Sequence, residues 1–265
     1  MNASVKQLLQ SLLDAARSDE PARHADLLKQ LESPEVLDGL DSEEDYANSA
    51  KFRLRVQQVL EALARNPAPT ARSTFLALTR SEAFTAHDER IMSLVRASVS
   101  ICPAPPALVA FWDTYSQPED GFTPSTITVL IDNGSPPALD LFERKMADPT
   151  HEDDDKTAWM RTRVLSHRND VALLLACERL LQRGLPEHLR PLLVDVLFDY
   201  RPGEWFRPAS SVSAPPLESA SPEALDHLLK IGVLALTKVR LSEEQRSVVT
   251  LRSQRAETLR DQWPR

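Results

Sequence analysis

The chain has 265 residues, of which 42% are hydrophobic and 26% charged, with a net charge of −8. A balance of that kind excludes collagen-like, disordered and membrane-spanning classes and leaves a globular protein with enough length for a sizeable core. An acidic body repels phosphate backbones at long range, so nucleic acid is disfavoured as the main partner.

Glycine is scarce (6) and proline abundant (20), and most prolines stand in short breaks between apolar-periodic stretches. There proline begins a helix without losing a hydrogen bond. The amino terminus lacks a signal-peptide pattern, and no apolar run approaches the roughly 20 residues that span a bilayer. A cytoplasmic location is expected. Cys102 and Cys177 lack metal-ligand spacing and are expected to be buried thiols rather than a disulfide.

Taken in order, Leu8, Leu9, Leu12 and Leu13 mark a first helix, and Asp19-Glu20-Pro21 opens a second with Leu27, Leu28 and Leu31. Ser33-Pro34-Glu35 starts a short third helix ending near Gly39. Asp41-Ser42-Glu43-Glu44 places acids at the start of a fourth, which runs to about Arg65. Residues 1–66 are read as an N-terminal helical cap.

A repeat follows. Ala68-Pro69-Thr70-Ala71 precedes Phe75, Ala104-Pro105-Pro106-Ala107 precedes Phe111, and Ser135-Pro136-Pro137-Ala138 precedes Phe142. The alanines are offset by 36 and then 31 residues, and each Phe follows its Ala by four. A further unit begins at Asn169-Asp170-Val171-Ala172, offset by 34, with Ala176 in place of the Phe. Second helices are expected near 87–101, 124–133, 152–168 and 186–200. Two helices per 30–36 residues is the signature of an α-solenoid, in which one pair buries its apolar face only by stacking on the next.

Residues 201–221 are rich in Pro, Ser and Ala and read as a connector, with Trp205 and Phe206 as anchors. Ser221-Pro222-Glu223-Ala224 restarts a helix to about Val239, and Ser242-Glu243-Glu244-Gln245 opens the last one. Residues 222–265 thus form a C-terminal helical pair. Residues 201–265 carry a net charge of +2, whereas residues 1–66, 67–133 and 134–200 are each acidic.

The pattern over residues 67–200, carried by Pro105-Pro106-Ala107-Leu108 with Phe111 and Pro136-Pro137-Ala138-Leu139 with Phe142, resembles the HEAT-like family of helical repeats. Asp88-Glu89-Arg90 and Asp155-Lys156 are loose counterparts of that family's Asp and Arg, and the 124–133 helix has no basic residue. The resemblance implies an all-α, right-handed α-solenoid of stacked antiparallel helix pairs, capped at both ends. It also implies a non-enzymatic scaffold that binds another protein or peptide on its curved face, without a cofactor.

Candidate chemistry is sparse. Glu152-Asp153-Asp154-Asp155 beside His151 is explained by helix-start electrostatics, since consecutive acids on a helix point in different directions and do not converge on a metal. Trp159, Arg161 and Arg163 form the best binding patch, either lining a groove for an acidic or aromatic ligand or with Trp159 in the core and the arginines solvated or paired with Asp153–Asp155 through helical spacing. Trp112-Asp113 invites comparison with HEAT-like alkylbase glycosylases, which pair an aromatic groove with a carboxylate. Groove-based catalysis around Trp112, Asp113, Trp159 and Arg163 is therefore the alternative function, and an acidic immunity-type inhibitor is a third. No Gly-x-Ser-x-Gly elbow, Gly-rich phosphate loop or His-x-x-x-His spacing is present.

Overall fold

The helix starts announced by proline and by capping residues are where the chain turns helical. In the computed structural model, which describes residues 3–41, 46–118, 123–200 and 214–263, Pro69, Pro106 and Pro136 each sit at a helix N-terminus behind an extended residue. Asp170 caps its helix by accepting from the amides of Ala172 and Leu173. Ser221 accepts from Ala224 N–H, and Ser242 with Gln245 completes a reciprocal capping box. The described residues are all-helical, with no strand. The expected anchors Trp205 and Phe206, and most of the acidic start at residues 42–45, lie outside them.

The chain divides into two compact units, Met1–Tyr115 and Ser116–Arg265. The first holds α1 (Ala3–Arg17), α2 (Pro21–Leu31), α3 (Pro34–Asp41), α4 (Tyr46–Arg65), α5 (Pro69–Leu78), α6 (Glu82–Thr85), α7 (Asp88–Ser98) and α8 (Pro106–Thr114). Here α1 packs on α4 and α4 on α7, while α2 packs on α5, so consecutive hairpins lie side by side in two layers. Phe75, Leu78 and Phe84 are fully buried. Arg90 is buried too, and its guanidinium grips the Asp41 carboxylate with Nε at 2.9 Å while a terminal nitrogen donates to the Ala83 carbonyl. Its role is to tie α7 to the end of α3.

The second unit holds α9 (Thr123–Asn133), α10 (Pro136–Ala147), α11 (Asp153–Trp159), α12 (Val171–Arg179), α13 (Arg190–Leu197), α14 (Pro222–Lys238) and α15 (Glu243–Asp261). One layer runs α10, α12, α14; the other contains α9, α11 and α13. Both α11 and α12 widen at their C-terminal ends into a π-turn, Met160–Val164 and Leu180–Gly184. Gly134, at φ 64°, ends α9 in the left-handed region that favours glycine. At Gly232, α14 and α15 approach so closely that a Cβ would meet Ser253 Oγ at 2.5 Å.

Phe75 and Phe142 are fully buried and Phe111 nearly so, packed edge-on against Tyr115 with ring centroids 5.0 Å apart. The Ala four residues earlier is buried at 71 and 138 but half-buried at 107. The repeat frame therefore marks core positions. Both cysteines are free; Cys177 is buried, and burial pushes its thiol up, whereas Cys102 is exposed, contrary to expectation. Cys102 lies in the irregular link between α7 and α8, outside any helix whose apolar face would cover it.

Candidate functional site

Residues 151–168 are the stretch richest in sequence signals. The acids Asp153, Asp154 and Asp155 occupy the first turn of α11, where they complement its dipole. Asp153 pairs with His188 Nε2 at 2.6 Å on the surface. Among the described residues, no group of His, Cys, Asp or Glu converges to hold a metal ion. Trp159 faces inward, buried and edge-on to His151, with ring centroids 5.5 Å apart.

Lys156 is buried as well, and its Nζ donates to the Asp148 carbonyl at 2.6 Å, satisfying a carbonyl left over at the end of α10. Burial lowers the Lys156 pKa. Hydrogen bonds from the Thr150 hydroxyl and amide hold the Asp148 carboxyl below the usual range. His151 has both ring nitrogens buried without a hydrogen-bond partner, and its removal from water lowers its pKa.

Arg161 and Arg163 follow, but they do not act together. Residues two apart on a helix point to opposite sides, and here the π-turn carries them between α9 and α13. Arg161 lies near Asp195 of α13. Burial raises that carboxyl to about 6, opposed by a 2.8 Å hydrogen bond from Gln245 and by the Arg161 charge. Arg163 turns to Asp132 of α9 at 3.6 Å, and His167 meets the same carboxylate at 3.5 Å. Arg168 is buried; it donates to the Pro215 carbonyl at 3.0 and 2.6 Å and stands 3.7 Å from Asp199. The cations of this stretch are thus occupied by acids and carbonyls from other elements.

Trp112 belongs to the first unit. It is fully buried, and its Nε1 donates to Ser98 Oγ at 2.8 Å, while Ser98 donates to the Val95 carbonyl at 2.7 Å. Asp113, next on α8, is half-buried. Trp112 and Trp159, the two aromatics weighed for a groove, are core residues, each of its own unit. Neither offers a ring face for a ligand to stack on.

The widest opening among the described clefts is elsewhere, on the first unit. Asn66 donates to the carbonyls of Ala16 and Ser18 at 3.0 and 2.9 Å, pinning the C-terminal ends of α1 and α4 together. With Lys6 of α1 beside Arg55 of α4 at one end and Arg17 beside Arg65 at the other, the two helices run in the same direction. Between them lies a cleft of about 890 Å³, continued by one of about 270 Å³ with which it shares Leu13, Arg55 and Gln58. Neither composition nor any motif announces it; the only sequence signal is the spacing Lys6, Leu13, Arg17 along one stripe of α1.

Comparison with known proteins finds no family model, no curated protein and no solved structure that matches the chain. The class is accordingly stated from the structure: an all-helical protein of layered helix pairs, in which no helix among the described residues is long and apolar enough to cross a membrane.

Proposed function

We propose that the chain is a non-enzymatic interaction scaffold, a short right-handed solenoid of HEAT-like helix pairs that binds another protein or peptide. The observation that carries this reading is the layered packing, α1, α4 and α7 beside α2 and α5 in one unit, and α10, α12 and α14 beside α9, α11 and α13 in the other. Helix pairs that stack in this way form an extended surface of many helix faces, and such surfaces serve recognition. The burial of Trp112 and Trp159 counts against catalysis in an aromatic groove, since a base or ring must reach the indole face. A cytoplasmic location goes with this reading.

Capture on the immobilised full chain, followed by chemical cross-linking and mass spectrometry, tests the proposal. A single protein partner in stoichiometric amount, cross-linked to surface helix positions, is the expected result. Turnover of a small molecule or excision of a base by the purified chain, with no such partner, would overturn it.

A further inference from the structure

We infer that the cleft between α1 and α4 is the docking site for an acidic, amphipathic helical segment of a partner protein; this rests on the scaffold reading above. Two neighbouring helices running in the same direction leave a groove along their length, and a third helix fits such a groove by laying one face into it. From Lys6 to Arg17 the groove follows α1 for roughly 16 Å at 1.5 Å per residue, which matches about three turns of a bound helix.

Its chemistry is sorted by depth. Leu9, Leu13 and Ala62 give an apolar floor, while Lys6, Arg17, Arg55 and Arg65 stand along the edges. Lys6, Arg17 and Arg55 are exposed and make no ion pair among the described residues; Arg55 only donates to the Gln58 side-chain oxygen at 3.0 Å. Arg65 reaches Glu61 of its own helix at 3.5 Å. Arg17 and Arg65 lie in the last turns of α1 and α4, where a cation also complements the helix dipole. Lys6 and Arg55 have no such duty, being near the start of α1 and the middle of α4.

Four cations and two acids, Asp19 and Glu61, line the cleft, on a chain whose net charge is −8. The positive strip is local, because the cleft on the other flank of α1, against α2, is lined by Asp14 and Asp26 with one cation, Arg23. A ligand with carboxylates flanking an apolar stripe complements both floor and edges. A nucleic-acid strand complements only the cations, meets Asp19 and Glu61 as like charges, and leaves the leucines without an apolar partner.

The test uses the full chain and a fluorescein-labelled peptide of about 15 residues, helical, with leucines on one stripe and glutamates on both flanks. Fluorescence anisotropy should show saturable binding. Exchange of Arg17→Glu together with Arg55→Glu should weaken it by about tenfold or more, and raising salt from about 50 to 300 mM should weaken it in the wild type. A copy of the peptide carrying a benzophenone should cross-link to Gln10, Leu13 or Gln58 of the wild type, a readout that does not depend on the variant folding. The inference is overturned by an unchanged affinity in the double variant, by cross-links elsewhere, by no binding of the peptide, or by equal binding of a single-stranded oligonucleotide of matching length. Those failures leave the scaffold reading standing if the capture experiment above yields a protein partner.

Discussion

Two cation-bearing regions invite comparison, the stretch Trp159–Arg168 and the cleft between α1 and α4. In the first, Trp, Arg, Arg and Arg fall within ten residues of sequence, yet the indole is buried and each guanidinium is met by an acid or carbonyl from another helix or loop. In the second, Lys6, Arg17 and Arg55 are scattered along the chain, and no carboxylate neutralises them among the described residues. Clustering in sequence measures proximity along a helix. Availability to a partner depends on what neighbouring helices bring, and here the clustered cations are the less available ones.

Substitution of Trp159 by Ala is the largest expected effect. A nearly inaccessible indole packed on His151 should cost about 3–5 kcal/mol of stability in urea unfolding; a near-neutral result would return Trp159 to the surface and break the contrast. Arg168→Met follows, at about 2–3 kcal/mol, because it leaves the Pro215 carbonyl without its charged donor and removes one of the guanidinium groups beside Asp199, Arg252 being the other at 3.9 Å. Equilibrium denaturation of this variant sharpens the claim that the stretch is structural.

The next test is one of pH. In the folded chain Asp195 holds its proton up to about pH 6, whereas the ordinary value is 3.8. The folded state binds more protons between those values, so this group lowers stability as pH rises through the window. Asp195→Asn should therefore gain about 1–3 kcal/mol relative to the wild type on going from about pH 3.5 to pH 7, read from chemical denaturation at each pH. His151 acts with the opposite sign. Its folded pKa is depressed by burial, so stability falls as pH drops below about 6.5, and His151→Phe should flatten that acid limb.

The smallest effect completes the set. Arg17→Ala and Arg55→Ala should each change thermal stability by no more than about 0.5 kcal/mol, since Arg17 contributes only an exposed complement to the α1 dipole and Arg55 only an exposed hydrogen bond to Gln58. A loss of 2 kcal/mol or more, on the scale of about 1–3 for a broken buried hydrogen bond, would mean that the cleft is held shut by them.

How much of this was legible in the sequence follows from the range of the forces involved. Pro69, Pro106 and Pro136 act through their own fixed φ, and Asp170, Ser221 and Ser242 on amides within three residues, so helix starts are written locally, and all six open helices in the structure. The Phe frame was legible because a core position repeats with the helix pair, and Phe75, Phe111 and Phe142 are all buried. The functional surface was not. Its two walls are contributed by residues 45 to 49 apart, such as Leu13 with Gln58 and Lys6 with Arg55, and residues 1–66 together are net acidic, which conceals a cationic groove. The partners Asp132 and Asp195, and the π-turn that divides Arg161 from Arg163, are likewise tertiary facts. So a Trp-Met-Arg-Thr-Arg run reads as a patch until the acids opposite it are placed.

The most direct measurement of the central contrast is residue-resolved arginine modification with phenylglyoxal, followed over time by mass spectrometry on the folded chain. Arg17 and Arg55 should react first, with Arg161 slower and Arg168 among the last. Equal rates at Arg55, Arg161 and Arg168 would contradict the account, because the cations of the two regions would then be equally available.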